Sequence, residues 1–208
     1  MLAFHQFEKQ YQGRTILNIR DQSLSQGLYH LKGRNGAGKT TLIKCIAGLI
    51  PFKGDITLLQ VPNDLKHQKA YRQLVSFAPS EPEYPEFMKG SDLIKLYQEL
   101  RNATPEEDQI LVETLGVKQF QHQEIMSYSS GMIKKLSLVL AFIGSPKLII
   151  LDEPLNALDT ESVHLIRPLI RRYQNNGSSL ILTSHQDFDW KDDQYTELAI
   201  QDAQLHVL

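Results

Sequence analysis

One segment of this 208-residue chain constrains its fold more than any other. It reads Gly33-Arg34-Asn35-Gly36-Ala37-Gly38-Lys39-Thr40, which has the pattern G-x-x-x-x-G-K-[ST]. The apolar run Leu28 to Leu31 before it predicts a strand, and the periodic residues from Thr40 to Leu49 predict a helix. A glycine-rich loop between strand and helix turns backbone N–H groups inward around an anion, and the positive helix end adds to the attraction. The segment therefore predicts a phosphate-binding loop in an α/β fold.

We expect this loop to bind the phosphates of a nucleotide. Lys39 is expected to contact the β- and γ-phosphates, and the Thr40 hydroxyl is an oxygen ligand of the kind that Mg²⁺ prefers. A glycine-rich turn that merely preceded a lysine would not need the strand and the helix on either side. The predicted binding residues are Gly33, Arg34, Asn35, Gly36, Ala37, Gly38, Lys39, Thr40 and Thr41.

Two adjacent acidic residues fit the same site. Asp152 and Glu153 directly follow the apolar run Leu148 to Leu151, which is typical of a parallel strand buried on both faces. The carboxyl ends of parallel strands meet at the sheet edge where ligands bind. We expect Asp152 to hold Mg²⁺, directly or through water, and Glu153 to orient or deprotonate the water that attacks the γ-phosphate. Without the phosphate loop, the pair would equally fit a solvated turn.

His185 is the third candidate catalytic residue, beside Glu153 and Lys39. It follows the apolar strand Leu180 to Thr183, so it is expected at the same edge of the sheet. An imidazole there can donate a hydrogen bond to a γ-phosphate. A structural histidine is the alternative.

The remaining predicted elements complete the α/β architecture of a P-loop NTPase: a three-layer core with an antiparallel β edge and an inserted helical subdomain. The edge is predicted from Leu2 to Phe7 and from Thr15 to Ile19. Helices are predicted from Ser91, as cap, to Arg101, from Pro105 to Leu115, from Gly131 to Ile143 and from Glu161 to Gln174, and a hairpin from Ile200 to Leu208. We expect one domain, with its core at about residues 1–75 and 146–208 and the insertion at about 76–145.

Composition excludes several classes of protein. With 41% hydrophobic and 22% charged residues, the chain can bury a core. The net charge of −2 shows no large basic excess of the kind that favours nucleic acid, so no nucleic-acid partner is expected, although a local basic patch is compatible with it. The single cysteine, Cys45, excludes an internal disulfide. The longest nearly apolar stretch, Leu136 to Ile143, is far shorter than the ~20 residues that span a bilayer. We expect a cytoplasmic chain whose place at a membrane is peripheral.

The order of the motifs resembles that of the nucleotide-binding subunits of ATP-binding cassette (ABC) transporters, and the resemblance covers nearly the whole chain. The phosphate loop is followed by Tyr128-Ser129-Ser130-Gly131-Met132, by Asp152-Glu153, by Asn156-Ala157-Leu158-Asp159 and by His185. The first of these later motifs is similar to the family signature Leu-Ser-Gly-Gly-Gln. Its form looks like a variant common among exporter ATPases.

The resemblance implies ATP and Mg²⁺ as cofactors and a head-to-tail dimer. Ser129, Ser130 and Gly131 would then contact the ATP held by the other subunit, which is a second copy of the chain or a paralogous ATPase subunit. A serine-capped core helix is the alternative for this segment. Asp159 corresponds to a residue that crosses the dimer interface, or it caps the next helix. Tyr11 resembles the aromatic residue that stacks on adenine.

Two departures from the family pattern concern metal binding and coupling. Ser80 stands where the family usually has glutamine, and Ser130 and Met132 replace Gly and Gln in the signature. The Ser80 hydroxyl or the Glu81 carboxylate could supply a metal ligand. The proline-rich segment Pro79 to Glu86 is a connector or the surface that contacts a membrane-spanning partner.

The sequence thus predicts an ATPase subunit that powers a separate membrane-spanning transporter, with export favoured. The alternative from another class is a soluble ABC-type ATPase that acts on nucleic acid or ribosomes. Such proteins typically carry two cassettes or a long coiled-coil insertion, and 208 residues accommodate neither. A small P-loop kinase would share the loop but leaves the signature and His185 unexplained.

Overall fold

Helices are interspersed among strands in the part of the chain that the computed structural model describes, residues 1–184 and 194–208. The strands are β1 (Leu2–Tyr11), β2 (Arg14–Leu24), β3 (Leu28–Lys32), β4 (Lys53–Leu58), β5 (Val61–Pro62), β6 (Val75–Ala78), β7 (Leu148–Asp152), β8 (Ser179–Thr183), β9 (Thr196–Gln201) and β10 (Gln204–Val207). The α-helices are α1 (Lys39–Ile46), α2 (Gln68–Leu74), α3 (Gly90–Arg101), α4 (Pro105–Thr114), α5 (Ser130–Phe142) and α6 (Thr160–Asn175).

A six-stranded sheet of order β10-β9-β3-β8-β7-β6 forms the centre of the fold. Its strands are parallel except for β10, which pairs with β9 as the predicted antiparallel hairpin. Every residue of β7 and β8 is buried. Ile149 and Leu151 face the apolar cluster that contains α5 and α6, whereas Leu148 and Ile150 face the cluster that contains α1. The predicted α/β class and strands buried on both faces are therefore confirmed.

The predicted antiparallel edge forms a separate four-stranded sheet, of order β2-β1-β4-β5. Its strands β1 and β2 are longer than predicted and pair around the turn at Gln12-Gly13. Phe7 and Leu17 from this sheet share one buried cluster with Ile43 of α1 and Leu31 of β3. Helix α1, and with it the phosphate loop, is thereby held between the two sheets.

The region between β5 and β7 differs from its sequence prediction in three places. Helix α2 and strand β6 were not predicted, and β6 pairs with β7 at the edge of the central sheet. The prediction that Ser91 caps α3 is wrong, because α3 begins at Gly90 with Lys89 as N-cap. The Asp92 carboxylate accepts a hydrogen bond from the Lys89 N–H at 3.3 Å, which is the interaction that orders this helix start.

Among the described residues, none of the helices combines the length and the apolar character needed to cross a membrane.

Candidate nucleotide-binding site

The phosphate loop has the backbone that its glycines predict. Gly38 is the N-cap of α1 at a φ of +103°, and a Cβ added there would lie 3.1 Å from Ile16 Cγ2. The positive φ favours glycine, and the close contact leaves little room for a side chain. Lys39 is 8% exposed, and its ammonium donates to the carbonyl of Gly33 at 2.7 Å. The side chain therefore lies across the loop, and its charge is held where a phosphate would bind.

The loop forms one wall of a cavity of about 530 Å³. The structure brings to this cavity most of the residues that the sequence singled out as one site. They are Tyr11, Arg34, Asn35, Gly36, Ala37, Gly38, Lys39, Thr40, Thr41, Ser80, Asp152 and Glu153, together with Ile16 and Asn156.

Asp152 ends β7 directly opposite the start of α1. Its carboxylate accepts a hydrogen bond from the Thr183 hydroxyl at 2.5 Å and contacts the Thr40 hydroxyl at 3.5 Å. The Thr183 hydroxyl in turn accepts a hydrogen bond from the Glu153 N–H at 3.0 Å. The Thr40 and Asp152 oxygens form a hard donor pair that suits Mg²⁺, whose other ligands are commonly water and phosphate oxygens. Thr183 was not singled out in the sequence, although it ends the strand that precedes His185.

Glu153 has a strained backbone. Its φ is +48°, in the left-handed region that residues other than glycine rarely adopt, and its side chain is nearly buried. The hydrogen bond from the Glu153 N–H to the Thr183 hydroxyl stabilises this conformation at the end of the strand. His185, the other predicted catalytic residue at this edge, lies outside the described residues.

Tyr11 lies at the rim of the cavity, 47% exposed. The ammonium of Lys9 lies 4.6 Å from the centre of its ring and donates to the Pro51 carbonyl at 2.6 Å. This cation–π contact fixes the ring beside the phosphate loop, where its exposed surface can meet a planar base.

The start of α5 carries the signature-like residues. Ser129 is the N-cap, and its hydroxyl accepts a hydrogen bond from the Met132 N–H at 3.2 Å. A Cβ added at Gly131 would lie 2.9 Å from the Ala157 carbonyl, so glycine allows α5 to contact the loop that follows Glu153. Among the described residues, Ser129, Ser130 and Gly131 are outside the lining of the phosphate-loop cavity.

Asp159 caps α6 and does not line that cavity either. Its carboxylate accepts from the Ser162 N–H at 2.8 Å and lies 2.8 Å from the Lys135 ammonium. The hydrogen bond from Lys135, assisted by the bonds from Ser162, holds the Asp159 pKa well below its ordinary value. Asp159 thus connects the starts of α5 and α6.

Ser80 and Glu81 occupy different surroundings. Ser80 lines the phosphate-loop cavity, whereas Glu81 is exposed and outside its lining. The backbone carbonyl of Ser80 accepts a hydrogen bond from Lys134 at 3.2 Å.

Lys134, like Thr183, is a residue of this site that the sequence analysis did not identify. It is fully buried in α5, and burial lowers its pKa to about 8, against the opposing charges of Asp152 and Glu153. Its ammonium also donates to the carbonyl of Asp152 at 3.1 Å. The sequence does contain a signal for this residue. Lys134 lies on the same face of α5 as Ser137 and Leu138, and a lysine on a buried helix face needs polar partners.

The chain is similar to a known protein family and to individual bacterial proteins. The family model described as ABC transporter matches residues 18–156. YhcH of Bacillus subtilis (strain 168), an uncharacterized ABC transporter ATP-binding protein, is 30% identical over 189 residues, which are 89% of this chain and 62% of YhcH. The lantibiotic transport ATP-binding protein SrtF of Streptococcus pyogenes is 28% identical over 186 residues, which are 89% of this chain and 80% of SrtF.

Solved structures share the fold. An ATP-binding subunit of an ABC transporter superposes with a TM-score of 0.90 at 21% identity, covering 100% of this chain and 90% of that one. The ATP-binding cassette MJ0796, solved as a dimer in a post-hydrolysis state with ADP and Pi, gives a TM-score of 0.82 at 18% identity, with 99% and 97% covered. These likenesses place the central sheet, α1 and the inserted helices in a known architecture.

Proposed function

The chain belongs to the ABC transporter family, and we propose that it is the ATP-hydrolysing subunit that powers a separate membrane-spanning exporter through closure of a dimer. The observation that carries this proposal is how the polar motifs are distributed. The phosphate loop, Asp152 and Glu153 share one cavity, whereas Ser129 to Gly131 lie outside it at the start of another helix. Ser129 and Ser130 are exposed at this helix start, which suits it to bind an anion brought from elsewhere, and the ATP of a second subunit would supply one.

Hydrolysis then follows from the residues of the cavity. The loop and Lys39 hold the β- and γ-phosphates, and Tyr11 supports the base. Mg²⁺, when bound, neutralises phosphate charge, and Thr40 and Asp152 would hold it. Glu153 orients or deprotonates the attacking water, and its buried position keeps the carboxylate in place. His185 is proposed to donate to the γ-phosphate.

Dimer closure uses the other set of residues. Ser129, Ser130 and Gly131 of one subunit would contact the γ-phosphate side of the ATP bound to the other subunit. Asp159 accepts a hydrogen bond from Lys135 of α5, and its proposed role is that of a residue at the dimer interface. The second subunit is another copy of this chain or a paralogous ATPase.

A groove beside the inserted helices supports contact with a membrane-spanning partner. Its volume is about 750 Å³, and it lies between α2, β6 and α3. Its wall includes the exposed Leu49 and Leu100, together with Glu83 and Tyr84 from the proline-rich segment. Such a groove fits a short helix of a partner. The chain would then be cytoplasmic and peripheral on the inner face of the cell membrane.

Transport is favoured over action on nucleic acid or ribosomes. The name of SrtF describes a transport ATP-binding protein, and the net charge of −2 gives no basic excess for nucleic acid.

Affinity capture of the chain from detergent-solubilised membranes, followed by mass spectrometry, tests this proposal. We expect a polytopic membrane protein at near-stoichiometric yield. A variant with Leu100→Asp in the groove should lose that partner and keep its ATP affinity, because Leu100 lies outside the phosphate-loop cavity. Ribosomal or DNA-associated proteins in place of a polytopic partner would contradict the proposal.

A further inference from the structure

A buried lysine joins the start of α5 to two strand ends. Lys134 is 1% exposed, and its ammonium donates to the carbonyls of Pro79 at 2.9 Å, Ser80 at 3.2 Å and Asp152 at 3.1 Å. The first two carbonyls belong to the loop that follows β6, and the third belongs to the last residue of β7. One side chain therefore fixes the separation between neighbouring strand ends at the catalytic edge.

The chemistry of these contacts explains how a cation can be buried here. An ammonium has three N–H donors, and this one has three acceptors, so its hydrogen bonding is satisfied. A buried charge without such partners would be strongly destabilising. All three acceptors are backbone oxygens, whereas the Asp152 carboxylate contacts Thr40 and Thr183. The hydrogen bonds of Lys134 therefore position the backbone, whereas those of Thr40 and Thr183 orient the Asp152 carboxylate.

We propose that Lys134 is a positioning residue for ATP hydrolysis, which transmits the position of α5 to Asp152, Glu153 and the loop around Ser80. It is only five residues from Ser129, the N-cap of the same helix, so a displacement of the helix start moves the ammonium and the three carbonyls with it. The connection from Lys134 to the Ser80 loop is made through the backbone carbonyl of Ser80 and not through its short side chain. The inference rests on ATP hydrolysis by this chain and not on export, so failure of the proposed membrane partnership would leave it intact.

Three variants test this role. Lys134→Met keeps an apolar stem and removes the three donors, and Lys134→Gln restores an amide with two donors. Lys118→Met is the matched control, because Lys118 is an exposed lysine paired with Glu113. The measurements are kcat and KM for Mg-ATP, the Mg²⁺ concentration for half-maximal rate, the affinity for ATP in EDTA, and amide hydrogen exchange over residues 79–83.

We expect Lys134→Met to lower kcat about tenfold or more and to raise the Mg²⁺ requirement, because small misplacements of catalytic groups are costly. Affinity for ATP in EDTA should stay within about threefold, since the phosphate loop is untouched, and exchange over residues 79–83 should accelerate. The kcat and the Mg²⁺ requirement of Lys134→Gln should lie between those of Lys134→Met and those of the control.

Two results would overturn the inference. One is a Lys134→Met protein whose kcat and Mg²⁺ dependence equal those of the control. The other is a parallel fall of kcat, ATP affinity in EDTA and thermal midpoint in both Lys134→Met and Lys134→Gln, which would indicate a purely structural lysine. If Lys134→Met does not fold, the same comparison of kcat with ATP affinity in Lys134→Gln decides the question.

Discussion

The edge of the central sheet and the start of α5 both present groups suited to a phosphate, but they are organised differently. At the sheet edge, Lys39 is bonded to Gly33 and Asp152 is bonded to Thr183. At the start of α5, the hydrogen bond described for the Ser129 side chain is the one from the Met132 N–H in the same helix turn. The first region has charged side chains held in position by the fold, and the second has a capped helix end.

This difference indicates a division of labour between the two regions. A site whose side chains are already oriented can bind a nucleotide within one chain, because little ordering is needed on binding. A helix start offers backbone N–H groups but no charge of its own from Ser129, Ser130 or Gly131. It should therefore contribute when an ATP already held by another chain is brought to it.

The largest effect should come from the sheet edge. Lys39→Ala removes the charge held across the phosphate loop, and we expect hydrolysis to be abolished and ATP affinity to fall about 100-fold, as for loss of a buried charge-assisted contact to phosphate. Because Lys39 bonds to loop carbonyls, the circular dichroism spectrum should stay that of the wild type. Wild-type turnover by the folded variant would remove Lys39 from the site.

The next effect should come from the start of α5. Gly131→Ala brings a methyl group to 2.9 Å from the Ala157 carbonyl, so α5 or the loop must shift. We expect hydrolysis to fall about tenfold, with ATP affinity in EDTA within about twofold of wild type. Gly27→Ala is the matched control, because its added Cβ lies 3.6 Å from the Tyr29 ring, an ordinary contact.

If Gly131→Ala instead weakened ATP binding by the isolated chain, the two regions would not be separate sites. Fluorescent-nucleotide titration of the variant and its control at low protein concentration distinguishes these outcomes.

Thr183→Val tests whether the sheet edge owes its function to preorganisation. Valine keeps the shape of threonine but removes the hydroxyl that bonds Asp152 and Glu153. We expect kcat to fall about fivefold to tenfold and the free energy of unfolding to fall by ~1.5–3 kcal/mol, as for hydrogen bonds to charged groups. Thr57→Val in the antiparallel sheet is the control, and chemical unfolding with ATPase assays measures both quantities. Unchanged kcat would mean that Asp152 needs no orientation from β8.

The smallest effect should come from the Ser80 loop. Glu81 is exposed and outside the cavity, which favours coupling to the partner over metal binding. We expect Glu81→Ala to lower partner-stimulated turnover about threefold and Ser80→Gln to keep or raise it. An altered Mg²⁺ dependence of unstimulated turnover in Glu81→Ala would instead place Glu81 at the metal. ATPase rates with and without the reconstituted partner across a Mg²⁺ titration give the answer.

The features predicted well from the sequence are those determined by local pattern. The apolar runs of β7 and β8 predicted their burial, and the phosphate-loop glycines predicted where α1 begins. Helix α2 and strand β6 have seven and four residues, which is too short for a period to emerge, and β6 depends on pairing with β7.

The contacts of Lys134 show why part of the site could not be predicted. Its acceptors are backbone carbonyls of Pro79, Ser80 and Asp152. Every residue type has a backbone carbonyl, so the sequence does not indicate which carbonyls will accept a hydrogen bond. The same holds for the contact of Gly131 with Ala157. Such contacts depend on how α5 packs against the sheet, which no short motif encodes.

Closure of two chains around ATP is tested most directly by the molar mass of Glu153→Gln in solution. Glutamine keeps the shape of Glu153 and removes the basicity of its carboxylate, so ATP should persist and hold two chains together. Light scattering with Mg-ATP, alone and with the reconstituted partner, is predicted to give a dimer of Glu153→Gln and a return to monomer when Gly131→Ala is added. A Glu153→Gln protein that binds Mg-ATP and stays strictly monomeric in both settings would contradict the account.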